Sequence, residues 1–295
     1  MEFRHIKYFV AVAKELHFGR AAEKLKMAQP PLSQQIKNLE TELGVVLFYR
    51  TKRQVKLTRA GEAFLNRANK ILKEVNDTCE EVRRIDRGEL GQLKLGFAGL
   101  VTFDLLPLVL QTFQMKYPEV KIVLHHLTTT EQIKALQQNE IDVGILIPPI
   151  DNREIDIEVI REEPFVVALN KSHPLAKITK PMNLSKLAND KFIMPPRNAG
   201  PGYYDSIISL CHKAGFSPDT TQEAKELQTV VSLVGSGIGV ALLPSSIQHL
   251  KNDRVTYVSI KDSPNNIKTS VASNKDNKSP VVESFLTLLK ETFIN

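Results

Sequence analysis

Between residues 59 and 87 the chain reads RAGEAFLNRANKILKEVNDTCEEVRRIDR. Apolar side chains there fall at Phe64, Leu65, Ala68, Ile71, Leu72, Val75, Val82 and Ile85. Spacings of three and four predict one long amphipathic helix. Thr58 stands where an N-cap is needed, with Glu62 in the first turn. A helix of this length cannot bury its own stripe, so the pattern predicts a partner helix. Gly88 and Gly91, in RGELGQ, break the pattern and predict a hinge over 88–91. Residues 1–58 read as short helices and turns.

From residue 92 the period changes. QLKLGFA reads as a strand, LPLVLQTFQMKY as a helix, VKIVLHHL as a strand, TTEQIKALQQ as a helix and IDVGILI as a buried strand. This βαβ rhythm predicts a largely parallel sheet with helices on both faces. A second such set starts at PFVVALN and continues through KFIMPP, YYDSIISLCHKAG, ELQTVVSLVGSG and GVALLPSSI. The tail SPVVESFLTLLKETF reads as an amphipathic helix able to pack back on the first set. The expected organisation is a small helical domain over 1–58, a linker helix over 59–87, the hinge, and an α/β domain over 92–295. That last domain divides into lobe I (about 92–161 and 268–295) and lobe II (about 162–267).

Within the first region, HFGRAAEKLKMAQPPLSQQIKNLETELG reads as two helices joined by a tight turn at Lys26-Met27-Ala28. Ala21, Ala22 and Leu25 give the first helix a small inward face that a second helix can cross closely. Pro30 and Pro31 suit the first turn of that second helix, where a missing N–H costs little. Ile36, Leu39 and Leu43 form its expected buried stripe. Gln29, Ser33, Gln34 and Lys37 then face outward near its start, the position from which a recognition helix meets base edges in the major groove. Gln pairs bidentately with adenine, Ser contacts bases or phosphate, and the two prolines can touch thymine methyls. YRTKRQVKLT reads as a short hairpin, a wing whose Arg50, Lys52, Arg53 and Lys56 would meet phosphates or the minor groove.

Charge sharpens this. The net charge of +6 is not spread evenly: residues 1–87 hold 18 Lys and Arg against 11 Asp and Glu, while the remainder holds 21 against 22. All the excess positive charge lies in the first third, the footprint of a polyanion-binding module joined to a neutral one. No apolar run approaches the roughly 20 residues that span a bilayer. The N-terminus MEFRHIKYFVAVAKEL carries charge through its apolar stretch and has no small-residue cleavage site, so a cytoplasmic location is expected. Cys79 and Cys211 have no metal-ligand spacing and are expected to be two reduced thiols. No cofactor or metal is expected.

The run from Phe3 to Gly61, with RAAEKL, QPPLSQQIKNLE, LGVVLF and LTRAG in order and spacing, resembles the LysR-type transcriptional regulators. Many members have Arg where this chain has Gln34, which changes the expected base preference. The resemblance implies a winged helix-turn-helix, a dimerisation helix and a two-lobed α/β effector domain of the type 2 periplasmic-binding fold. It implies a homo-oligomer, a tetramer built as a dimer of dimers, on pseudo-palindromic duplex DNA, with RNA polymerase as a further partner. Residues in QPPLSQQIK, IDVGILIPP and SLVGSGIGVALLPSS look most like the branch that regulates acetoin synthesis and aromatic catabolism.

The resemblance also implies a small-molecule effector in the cleft between lobes, at strand ends and helix starts. Three places qualify. Ala98-Gly99-Leu100-Val101-Thr102 follows the first strand, Thr128-Thr129-Thr130 follows the second, and Pro195-Pro196-Arg197-Asn198 follows a strand of lobe II. The expected contacts are Gly99, Leu100, Thr102, Thr129, Arg197 and Asn198. Members that bind carboxylates usually offer a hydroxyl directly after the glycine, where this chain has Leu100, and some place Arg near the position of Ile147. A neutral or less anionic effector is therefore expected.

Three other classes fit less well. A transport binding protein would need export and no basic helical segment. A redox sensor would need a reactive cysteine pair in the sensing part, which holds only Cys211. For an enzyme, His125 and His126 are strand neighbours on opposite faces, and P-loop, G-x-S-x-G and dinucleotide motifs are absent.

Overall fold

A computed structural model describes residues 1–51, 54–148, 152–262 and 266–293. The chain divides into two compact units, Met1–Arg83 and Arg84–Asn295.

In the first unit, α1 (Phe3–Glu15), α2 (Phe18–Lys24) and α3 (Gln29–Leu43) are followed by β1 (Phe48–Arg50), β2 (Val55–Leu57) and α4 (Arg59–Asp86). Their core is aromatic at its centre. The Phe9 ring lies 5.1 Å from Phe48 and 4.8 Å from Phe64, and Phe18 lies 5.9 Å from Phe48. Ala21 and Ala22 are buried, so α2 and α3 cross closely, with Lys26 in the left-handed region closing the turn. Pro30 and Pro31 lie in the first turn of α3, which ends on Gly44 at φ +70°. Leu32, Ile36 and Leu39 are its fully buried residues. Leu43 is not among them. It is the last residue of the helix and is 36% exposed.

β1 and β2 pair antiparallel from Phe48–Leu57 to Arg50–Val55, the expected hairpin. Thr58 caps α4, its hydroxyl accepting from the Gly61 N–H at 2.9 Å. Gly61 is required by space, since a Cβ there would lie 2.2 Å from the Leu47 carbonyl oxygen. Phe64, Leu65 and Leu72 pack on the core, whereas Ile71, Val75, Val82 and Ile85 stay exposed.

The second unit opens with a turn at Gly88, whose φ of +67° and closeness to the Pro280 carbonyl exclude any side chain. β3 (Gly91–Phe97), α5 (Leu105–Lys116), β4 (Val120–His126), α6 (Thr129–Gln137) and β5 (Val143–Leu146) form the first βαβ set. β6 (Ile155–Asn170) follows, then β7 (Lys191–Met194), α7 (Pro201–Lys213), β8 (Asp219–Glu223), α8 (Leu227–Gly235), β9 (Ala241–Pro244), β10 (Val255–Ser259), β11 (Asn266–Asn274) and α9 (Pro280–Phe293). α9 packs on the first set as expected: Val281, Val282, Phe285, Leu288 and Leu289 join Leu93, Leu95, Val109 and Phe113 in one core.

The sheet is mixed rather than largely parallel. β3 pairs parallel with β4 and β5, but β11 runs antiparallel to both β5 and β6, and β9 and β10 run antiparallel to β6. The 16 residues of β6 begin well before PFVVALN. Paired with β11, this strand runs through both lobes, and the expected lobe limits fall inside the two strands. A second core surrounds β6 and β9, built from Phe165, Val167, Leu169, Phe192, Tyr203 and Leu242 among others.

Candidate nucleic-acid interface and ligand cleft

α3 presents the first candidate surface. Burial of Leu32, Ile36 and Leu39 turns the opposite side outward, and Gln29, Pro30, Pro31, Gln34 and Lys37 are exposed while Ser33 is half-buried. The Gln34 amide donates to Asn38 Oδ1 at 2.9 Å along the helix face. That bond involves one of its N–H groups and leaves its carbonyl free to accept. The helix is anchored from behind by His5, whose Nε2 lies 2.7 Å from Gln35 Oε1.

Of the wing cations, Lys52 and Arg53 lie outside the described residues, and Lys56 is exposed. Arg50 turns inward instead. Its guanidinium donates to Glu40 Oε2 at 2.5 Å and lies 4.8 Å over the Phe18 ring. Its guanidinium is thus paired within the domain. Glu40 was not singled out in the sequence. Its other oxygen accepts from the Leu47 and Phe48 N–H groups at 2.8 and 3.0 Å, joining the recognition helix to the first wing strand.

In the second unit a cavity of about 80 Å³ lies where strand ends and helix starts converge. That is room for several waters or one small organic molecule. The end of β3 contributes Ala98, Gly99 and Leu100. The end of β4 and the start of α6 contribute His126 to Thr129, and Ile147 follows β5. From the other lobe come Pro195 and Pro196 after β7, Tyr203 of α7, and Lys225, Glu226 and Leu227 at the start of α8.

Gly99, Leu100 and Thr129 thus line the cavity as expected from their positions. Thr129 is buried, and its hydroxyl oxygen sits 3.4 Å from the Ile147 N–H. Thr102 lines an adjoining hollow instead. Arg197 and Asn198 do not line the cavity. Arg197 makes two bonds to Asp205, at 2.8 and 2.9 Å, and is exposed, because the carboxylate one turn into α7 draws the side chain off the cleft. Asn198 is exposed and contributes its backbone carbonyl, which accepts from Thr130 Oγ1 at 2.9 Å.

Charged pairs bridge the lobes at the rim. Glu131 lies 3.4 Å from Lys225, and His126 Nε2 lies 3.5 Å from Glu226. Hydrogen bonds from Thr128, first from its backbone N–H and then from its hydroxyl, hold the Glu131 carboxyl below its ordinary value. Tyr203 is buried with its hydroxyl donating to the Leu242 carbonyl at 3.1 Å, and burial raises its phenol. His126, Tyr203, Lys225 and Glu226 were missed in the sequence. They stand up to 100 residues apart, and nothing local marks their convergence. His126 stacks on Phe97 at 5.2 Å, while His125 points to the other side of β4, as expected for strand neighbours.

Cys211 is fully buried, and burial pushes its thiol up to about 12. Cys79 is exposed on α4. Among the described residues there is no cluster of three or more His, Cys, Asp or Glu that could hold a metal, and no helix long and apolar enough to cross a membrane.

A winged helix-turn-helix joined to a two-lobed sensor of this kind defines a regulator class, and comparison with known proteins agrees. Residues 3–62 match the bacterial regulatory helix-turn-helix protein model of the lysR family, and residues 86–294 match the LysR substrate binding domain. The chain is 43% identical over 286 residues to the HTH-type transcriptional regulator AlsR of Bacillus subtilis, covering 97% of this chain and 94% of AlsR. It is 37% identical to the regulator CatR of Pseudomonas putida, over 99% of each chain. Among solved structures it resembles CbnR, a LysR family transcriptional regulator, with 29% identity and a TM-score of 0.88 over 98% of this chain and all of that one. CbnR complexed with its target DNA matches at 28% identity and a TM-score of 0.82, over 99% of each chain. The chain belongs to the LysR family of helix-turn-helix transcriptional regulators.

Proposed function

We propose that this regulator reads pseudo-palindromic promoter DNA through α3 and the wing, and changes its grip on that DNA when a small neutral or weakly anionic molecule fills the cleft. The observation that carries the effector reading is the cleft's charge. Its one lining cation among the described residues, Lys225, already faces Glu131, and Arg197 is held outside by Asp205. A dicarboxylate would meet no free cation there, while Leu100, Ile147, Tyr203 and the two prolines suit an uncharged body.

For the DNA, support comes from the outward set Gln29, Pro30, Pro31, Ser33, Gln34 and Lys37 at the start of α3, with Lys52 and Arg53 assigned to the wing by sequence. CbnR has been seen on its target DNA with a fold this chain resembles. The exposed stripe Ile71, Val75, Val82 and Ile85 on α4 supports pairing with a second copy, because apolar positions at this spacing seek a partner helix. Two-fold pairing would mirror a pseudo-palindromic site, and a dimer of dimers would span two of them. Cleft closure would then change how the paired domains sit on DNA, relax a bend and alter access for RNA polymerase. The effector drives this only through differential affinity for the two arrangements. The relatives named above are regulators, and a non-enzymatic, cytoplasmic role follows from the same reading.

The test is recovery of duplex fragments from sheared DNA of the source genome by the purified protein, followed by sequencing. Enrichment of a few pseudo-palindromic sites supports the reading. Uniform recovery of all fragments overturns sequence-specific regulation.

A further inference from the structure

Beside the cleft lies a second hollow of about 270 Å³, walled by Phe97, Thr102, Phe103, His126, Glu226 and Gln228. Gly99 forms part of both spaces, and a Cβ on it would stand 3.2 Å from His126 Nε2 and 3.3 Å from Glu226 Oε2. The His126–Glu226 pair is therefore the partition between the two. We propose that this hollow is a ligand site in its own right, for a small amine whose cation meets the Glu226 carboxylate and whose hydrocarbon body lies against Phe97 and Phe103.

Charge selects the class. Neither Lys nor Arg lines the hollow, and Glu226 is its one formal anion. An anionic ligand would face that carboxylate without compensation, whereas an ammonium group gains both the carboxylate and the electron-rich faces of nearby rings. Glu226 is also available. It occupies the N-cap position of α8 yet makes no side-chain cap bond, and its contact with His126 is a long 3.5 Å. Two more polar groups stand ready around it. Among the described residues, neither the Thr102 hydroxyl nor the Gln228 side-chain amide has a protein hydrogen-bond partner, and each can accept an N–H that the carboxylate does not take. An apolar body is matched by the half-buried Phe97 and Phe103 rings, which belong to the cores of different lobes. A bound amine would draw Glu226 from His126 and so act on the partition itself. Phe97, Thr102, Phe103 and Gln228 line this hollow and not the main cleft, whereas Gly99, His126, Glu226 and Leu227 line both.

The test is calorimetric titration of the full-length protein with benzylamine, using benzoate and benzyl alcohol as probes of the same ring with negative and zero charge. Benzylamine is expected to bind most tightly of the three, and Glu226→Gln to weaken it about tenfold. Thr102→Val and Gln228→Ala, which touch the hollow and not the cleft, are expected to weaken it several-fold while retaining binding to duplex DNA. The proposal is overturned if benzoate or benzyl alcohol binds as well as benzylamine, or if no benzylamine binding is detected. It is equally overturned if Thr102→Val and Gln228→Ala leave the affinity unchanged, because the amine would then sit in the main cleft. A protein that binds benzylamine but recovers DNA without sequence preference would defeat the regulator reading and leave this site standing.

Discussion

Arg50 and Glu40 join the wing to the recognition helix. The guanidinium donates to the carboxylate at 2.5 Å, both side chains are largely covered, and the same carboxylate receives the N–H groups of Leu47 and Phe48. A charged hydrogen bond at a part-buried site is worth more than an exposed ion pair, because water competes less for it. Arg50→Ala is therefore expected to lower the stability of the DNA-reading unit by about 1–3 kcal/mol. It should leave the slope of log affinity against log salt nearly unchanged. Denaturant melts and salt-dependent DNA titrations measure the two separately. A slope reduced by about one, with stability intact, would restore Arg50 to the phosphate contacts.

Ser33, Gln34 and Lys37 allow the opposite pattern. All three lie on the side of α3 that faces away from Leu32, Ile36 and Leu39. Ser33→Ala or Gln34→Ala should cost specific sites about 1–3 kcal/mol and relax preference at one base pair. Lys37→Ala should weaken every sequence alike and reduce the salt slope by about one. Binding measured on a site, its single-base variants and unrelated DNA distinguishes these. An equal loss on all sequences for Gln34→Ala would remove its base-reading role.

How much of this was legible in the sequence depended on the range over which each signal acts. Pro30, Pro31 and the three-and-four spacing are local, so α3 and its outward face could be read directly. Leu43 followed the same spacing but is the last residue of the helix and stays exposed, and a periodic pattern does not report where packing stops. Ile155–Glu163 alternates in part, but its many charges hid a strand whose partner, β11, lies about 110 residues away. Gly99 and Thr129 were readable because strand ends and helix starts carry their own marks. His126 and Glu226 were not, because only the fold brings them together. Arg197 was readable as a cation near a strand end, but its pairing was not, because that depends on how the loop meets α7. Asp205, eight residues on, takes that cation.

Arg161 ties β6 to its surroundings through a largely covered network. It donates to Asp104 at 2.6 Å and lies 3.6 Å from Glu163, whose carboxylate also accepts from the Ser246 N–H at 2.7 Å and from the hydroxyls of Ser245 and Ser246. Arg161→Met keeps the bulk of the stem but leaves Glu163, only 4% exposed, without its cation. A loss of about 3 kcal/mol in the stability of the effector unit is expected. Unfolding midpoints followed by a probe in that unit measure it. Replacing Arg161 and Glu163 together by Met and Gln should recover part of the loss, and an additive double variant would mean that the pair is not coupled.

The start of α6 supplies a pH-dependent test. The Thr128 N–H and hydroxyl donate to Glu131 at 2.7 and 2.8 Å, and Lys225 approaches the other carboxylate oxygen. These contacts hold the carboxyl below its ordinary 4.5 in the folded protein, the backbone bond from Thr128 contributing most. A depressed folded value means that the native state binds the proton less readily than the unfolded chain. The stabilisation is complete above the unfolded value and is lost as pH falls through the folded one. Glu131→Gln keeps the shape of the side chain and removes its charge, so it should cost about 0.3–1 kcal/mol near neutral pH. The difference from the parent protein should shrink steadily once the pH drops below the unfolded value, as the parent carboxylate takes up its proton. Equilibrium unfolding of both proteins across that range decides the matter. A difference that stays constant through the acid range would assign the effect of the substitution to packing and not to the charge at the helix start.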